Sequence, residues 1–148
     1  MPTLEEIKTS FAHDRFAVET TGVEIAEAEP GRAVCTLKLC PGHLNKNGVP
    51  MGGALFTLAD FAYAVASNAY SESVIVSQQA DIAFLAPAKG KVLTAEASCI
   101  KEGRRICLYE VRITDDTGVL VAYVTINGYK TTSPKETDKE NNSGAVEN

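Results

Sequence analysis

The sequence predicts an α+β domain in which one long helix is wrapped by a strongly curved antiparallel sheet of five or six strands. Three observations lead there. Residues 52–70, "GGALFTLADFAYAVASNAY", form an alanine-rich apolar stretch holding one charged side chain, Asp60. A helix that is apolar on all sides is one buried within its protein. On either side lie segments in which apolar and polar residues alternate between Pro, Gly and Asp turns, the pattern of half-buried strands. The order is short helix, two strands, long helix, four strands. A single helix cannot cover so many strands unless the sheet curls around it.

Along the chain, Leu4, Ile7 and Phe11 recur at helical spacing with charges between them, which predicts an amphipathic helix over 3–12. Residues 22–40 read as two antiparallel strands meeting at "EPGR", a Pro-Gly turn. In the second of these, Ala33, Cys35, Leu37 and Leu39 share the buried parity. Residues 41–53, "PGHLNKNGVPMGG", are a loop by their glycines, prolines and asparagines. The apolar helix follows. Alanines at 54, 59, 62, 64, 66 and 69 suit a helix gripped closely on several sides. "SVIVSQQADIAFLAPA" then predicts a long strand ending at Pro87. Two more strands, 91–101 and 104–114, turn at Gly103, and "DDTG" leads into a last strand through Tyr129. Residues 1–130 therefore form one domain. The polar segment 131–148 has a single large aliphatic side chain, Val146, and predicts a disordered tail.

The bulk numbers narrow the function classes. A net charge of -5 speaks against a nucleic-acid partner, which usually leaves a basic surplus. The amino terminus carries acids early and no apolar run, unlike a secretory signal. Asp60 and the scarcity of large aliphatics argue against a membrane span over 53–70. Four cysteines form no CxxC pair and no zinc spacing. Cys35, Cys99 and Cys107 fall on apolar strand parity, as buried reduced thiols do, and the expected location is the cytoplasm.

Asp60 is the residue that asks for a reason. It sits eight residues beyond Gly52, too deep to cap the helix. An isolated buried carboxylate is costly, and no Lys or Arg lies within a turn of it. It needs donors from another segment, or an opening to solvent and substrate. Upstream, Gly52 and Gly53 would open the helix with unpaired N–H groups aimed at whatever precedes them, a setting that favours a developing oxyanion. Other hydrolytic machinery is missing from the sequence: it has no GxSxG elbow, its only histidines are His13 and His43, and it shows no metal or nucleotide motif. The chemistry falls to a carboxylate, amides, hydroxyls and backbone, with no metal and no cofactor.

The segment "HLNKNGVPMGGALFTLADFAYAVASN" resembles the active-site segment of hotdog-fold acyl-CoA thioesterases of the phenylacetate-pathway (PaaI-like) and 4-hydroxybenzoyl-CoA type. The likeness runs over about residues 18–130 and is most specific over 43–60. It implies a hotdog fold, with the long helix as the sausage. It also implies that Asp60 is the catalytic carboxylate and that the Gly52 N–H polarises the thioester carbonyl, with Gly53 beside it. Asn45 matches a residue that positions the carbonyl or water, and Ser77 a hydroxyl supplied by the neighbouring subunit, a role Gln78 or Gln79 could share. Two departures stand out. Met51 replaces the usual His before the glycine pair and cannot make a strong hydrogen bond. Ala64 lacks the hydroxyl that one branch places a turn after the acid.

The resemblance thus implies an enzyme that hydrolyses an acyl- or aryl-CoA thioester to free acid and CoA, coenzyme A being part of the substrate. Asp60 would act as base or as nucleophile. A homodimer or tetramer with the site between subunits is expected. Phe56, Phe61 or Tyr63 would line the acyl pocket, and Lys89, Lys91, Lys101, Arg104 and Arg105 are candidates for the CoA phosphates. The alternative is a non-catalytic acyl-CoA binding protein, with which Met51 is consistent.

Overall fold

The computed structural model describes residues 1–134. Helix α1 (Leu4–Phe11) is started by a capping box, with Glu6 N–H donating to the Thr3 hydroxyl and Thr3 N–H to the Glu6 carboxylate. It ends two residues before His13, which is exposed. A π-helical segment, Phe16–Thr21, closes with Gly22 N–H donating five residues back to the Ala17 carbonyl. Strands β1 (Val23–Glu29) and β2 (Arg32–Lys38) form the first hairpin, and a 3₁₀ turn at Pro41–His43 leads towards α2 (Gly52–Asn68). Then come β3 (Ser73–Phe84), β4 (Val92–Glu102), β5 (Ile106–Asp115) and β6 (Leu120–Pro134).

The strands form one antiparallel six-stranded sheet in the order β1-β2-β4-β5-β6-β3. Register shifts at Ile25/Glu27, Ser77/Gln79 and Cys99/Lys101 mark bulges, which add twist and let the sheet bend around α2. The α+β architecture is the predicted one. The inward parities hold as well: Leu93, Ala95 and Ala97 of β4 and Cys107, Tyr109, Val111 and Ile113 of β5 are all buried. Of the α2 alanines, 59, 62 and 66 are buried and 54 and 64 half-buried, as is the C-cap Ala69, so the helix is held on three sides and open along a fourth.

Side chains pin α2 at its far end. Asn68 Nδ2 donates to the Ile75 carbonyl at 3.0 Å, Asn68 Oδ1 accepts from Ile75 N–H at 2.9 Å, and the Tyr70 hydroxyl donates to the Ala28 carbonyl at 3.0 Å. Midway, the Tyr63 hydroxyl reaches the Val76 carbonyl in space that the missing Cβ of Gly128 leaves free. The carboxylates of Asp115 and Asp116 tie the β3–β4 connection to the β5–β6 turn. Asp115 accepts from Lys89 N–H, Thr117 N–H, Thr117 Oγ1–H and Val119 N–H at 2.7–3.0 Å, and Asp116 accepts from Lys91 N–H at 2.9 Å.

Several sequence expectations are corrected. β3 ends at Phe84, three residues short of Pro87, because Leu85 N–H and Ala86 N–H both turn to the Val121 carbonyl. The last strand runs on to Pro134, so residues 131–134 of the expected tail are strand; residues 135–148 lie outside the described residues. Cys99 is only half-buried, since it sits beside a bulge at the end of its ladder. Among the described residues no helix is long and apolar enough to cross a membrane.

Candidate active site

The loop between β2 and α2 is built around Asn45. Its Oδ1 accepts from Asn47 N–H at 2.9 Å and from Val49 N–H at 3.4 Å, an Asx turn reinforced by Asn45 N–H donating to the Val49 carbonyl. With the oxygen occupied, the Nδ2 group is what this side chain has left to offer a ligand. The loop ends at Met51, which caps α2 through its backbone only, its side chain contributing no cap bond. The N–H groups of Gly52 and Gly53 donate to no acceptor among the described residues, as expected of the first turn of a helix.

Asn45 and Gly52 open into one pocket of about 450 Å³, walled by Leu55, Val121, Phe84, Leu85 and the Ala86–Ala88 connection. A Cβ on Gly52 would come within 2.9 Å of the Phe84 ring, so glycine here is what lets that ring lie over the helix start. Phe84, which lines the pocket, is 58% exposed, and Met51, just before Gly52, is 61% exposed. Sequence reasoning misses the Phe84–Ala88 wall. Its one signal is a pair of large apolar residues just before Pro87, at a strand end with no partner evident from the pattern.

Asp60 does not lie in the protein's centre, where the apolar pattern of α2 would put it. Within one chain it is exposed, on the stripe Gly53–Phe56–Asp60–Ala64 that the sheet leaves uncovered. The seventeen residues of α2 are apolar enough to suggest burial all round, but burial by one sheet stops short of this fourth side. The carboxyl still has a raised pKa, first because its apolar surroundings disfavour the charged form and second because Asp14 adds a like charge. Asp60 does not line the Gly52 pocket. Eight residues of helix separate the two, about 12 Å of rise.

The remaining predicted residues divide into two groups. Ser77 and Gln78 are exposed on β3, an edge strand, at its bulge, and their side chains make no hydrogen bond among the described residues. Phe56 is half-buried on the open stripe. Phe61, expected as a pocket residue, belongs to the core instead: it is 1% exposed and meets Phe11 edge-to-face at 5.9 Å. Tyr63 is likewise buried, against Tyr109. Lys89 and Lys91 line a smaller pocket of about 290 Å³ that shares Pro50 and Ala88 with the first. Lys101, Arg104 and Arg105 lie around the β4–β5 turn, at the end of the sheet where α2 finishes, away from the Gly52 pocket of their own chain.

The sequence and fold match known proteins. The family model described as Thioesterase superfamily matches residues 47–122. The Escherichia coli acyl-coenzyme A thioesterase PaaI is 33% identical over 102 residues, 68% of this chain and 72% of its own. The solved structure of the E. coli PaaI protein from the phenylacetic acid degradation operon aligns with a TM-score of 0.77 at 26% identity, over 89% of this chain and 99% of that one. A hypothetical thioesterase from Streptococcus pneumoniae, solved with coenzyme A, aligns with a TM-score of 0.73 at 27% identity, over 84% and 99%.

Proposed function

The chain belongs to the thioesterase superfamily, and from that premise we propose that it hydrolyses acyl- or aryl-CoA thioesters at a site shared by two copies of the chain. The observation that carries the proposal is the separation just described. A polarising element, Gly52 N–H at the start of α2 with Asn45 Nδ2 in the loop before it, opens into one pocket, while a carboxylate of raised pKa, Asp60, lies eight residues along the same helix and outside that pocket. A base must come within hydrogen-bond reach of the attacking water, directly or through one more water. A distance of about 12 Å along the helix is too long for that, so the acid that serves one Gly52 pocket comes from a partner subunit.

The free edge of β3 supplies the means. Val76 and Phe84 are exposed apolar side chains along it, beside Ser77, Gln78, Gln79 and Asp81, and among the described residues no strand covers it. Two β3 strands paired antiparallel about a two-fold axis lay the two α2 stripes side by side in opposite directions. The pocket end of one helix then meets the Asp60 turn of the other, with the partner subunit's Ser77 beside it.

In this arrangement the thioester oxygen accepts from Gly52 N–H and Asn45 Nδ2, and the negative charge that grows there in the transition state is held by both donors. The partner subunit's Asp60 takes a proton from water as its oxygen adds to the carbonyl carbon. The C–S bond then breaks and the proton passes to the CoA sulfur. Direct attack by Asp60 to give a mixed anhydride is the other route open to the same atoms; single-turnover incorporation of heavy oxygen from solvent into Asp60 marks it. Lys89 and Lys91 are the cations best situated for CoA phosphates.

The test is thiol release over a panel of aliphatic and aromatic acyl-CoAs. Asp60→Asn is expected to lower kcat by about 10²–10⁴-fold with the fold intact. Near-normal turnover in that variant refutes the role of Asp60. Tight acyl-CoA binding without thiol release by the unaltered chain identifies a binding protein instead.

A further inference from the structure

Both polarising groups of the proposed site hang from one loop, and that loop is held by His43. The residue is half-buried and uses every hydrogen-bonding group it has. Its Nδ1 accepts from Cys40 N–H at 3.1 Å, and its Nε2–H donates to the Thr21 carbonyl at 2.6 Å, at the end of the π-helical segment. Its own N–H donates to the Cys40 carbonyl at 3.0 Å, and its carbonyl accepts from Met51 N–H at 2.9 Å. The pair of ring contacts fixes the neutral Nε2–H tautomer, because a carbonyl can only accept and an N–H can only donate.

The consequence is a clamp. The imidazole bolts the loop to a segment 22 residues earlier in the chain, and the backbone carbonyl bolts it to the residue just before Gly52. Between those two anchors lies Asn45 in its Asx turn. Residue 51 cannot help: its thioether makes no cap bond. We propose that His43 is a positioning residue, which sets the spacing of the Asn45 amide and the Gly52 N–H by tying their loop to the carbonyl of Thr21.

This inference rests on the thioesterase proposal for its catalytic consequence but not for its structural one. Two readouts on the full-length chain therefore test it. His43→Phe keeps the ring volume and removes both nitrogens; His43→Gln keeps one acceptor and one donor. Amide hydrogen exchange over residues 44–52 is expected to speed up at least tenfold in His43→Phe and to stay near the unaltered rate in His43→Gln, with β4, β5 and β6 unchanged in both. For hydrolysis, His43→Phe is expected to lower kcat by about 10–100-fold, the scale of a misplaced catalytic group, with KM within threefold, and His43→Gln to recover most of the loss.

Unaltered exchange over 44–52 in His43→Phe overturns the proposal, as does a KM effect without a kcat effect. So does a His43→Phe chain too unstable to isolate, which would assign His43 to the stability of the whole domain. If the unaltered chain releases no thiol, the thioesterase proposal fails while the exchange result still decides this one.

Discussion

In the proposed site Asn45 divides its amide between two jobs: the oxygen holds the loop, and the nitrogen is left for the substrate. Asn45→Asp keeps the oxygen acceptor, removes the donor and adds a negative charge where the proposal puts the thioester oxygen. It should leave the melting temperature almost unchanged while lowering kcat by about 10²-fold or more, the usual result of losing one oxyanion donor; thermal melts and steady-state kinetics check both halves. Asp60 gives a pH signature. Its carboxyl is held above the ordinary value of 3.8, first by desolvation and then by Asp14. In the proposed reaction Asp60 acts in its ionised form, so activity should fall as pH drops through the raised pKa, with the acid limb above that of a free aspartate. Asp14→Asn removes a like charge and makes ionisation easier; the acid limb of kcat/KM should move to lower pH. An unmoved limb would deny the coupling. Asp60 was legible as a candidate acid because a lone carboxylate in an apolar helix needs either a donor or an opening. Its exposure was not legible, since the helix shows the same apolar pattern whether its fourth side faces a sheet or a second chain.

Among the elements, the strands were readable because every second residue of β5, and of β4 from Leu93 to Ala97, is committed to the core. The π-helical segment was not: Phe16–Thr21 buries only Ala17 and repeats nothing. The clamp between the β5–β6 turn and the 85–91 connection also escapes a sequence reading, in which "DDTG" is a turn and no more. Asp115 is buried at that junction, and its carboxyl sits far below the usual range because Lys89 N–H, then the Thr117 hydroxyl, then further backbone donors favour its charged form. A lowered folded-state pKa contributes stability that is fully present above the unfolded value near 3.8 and is lost as pH falls towards the folded one. Asp115→Asn should therefore melt earlier than the unaltered protein at neutral pH, with the gap narrowing below pH 3.8. Since the same connection carries the Ala86–Ala88 wall of the pocket, the variant should also raise KM. Melting curves at several pH values and a Michaelis series would show both.

At the scale of the whole molecule, the proposal of a shared site makes a prediction that no single-chain site can meet. An Asn45→Ala chain and an Asp60→Asn chain should each be nearly inactive alone. Refolded together in equal amounts, they should recover about a quarter of the normal rate, since half the two-fold pairs are mixed and each mixed pair holds one intact site. No recovery would return both groups to one chain. The two edges of the sheet differ in what they offer a neighbour. The β3 edge, open among the described residues, exposes Val76 and Phe84 and carries one charged side chain, Asp81. The β1 edge exposes Glu24, Glu27 and Glu29, kinks at its bulge, and has the nearby Arg32 already engaged by Glu27, Glu29 and Glu96. A further copy arriving there would bring its own glutamates against these at a ladder that is out of step. On the proposed pairing, lateral growth would have a stop at one margin and an invitation at the other, so that copies would close as a finite particle where two sticky margins would spin them into a fibre.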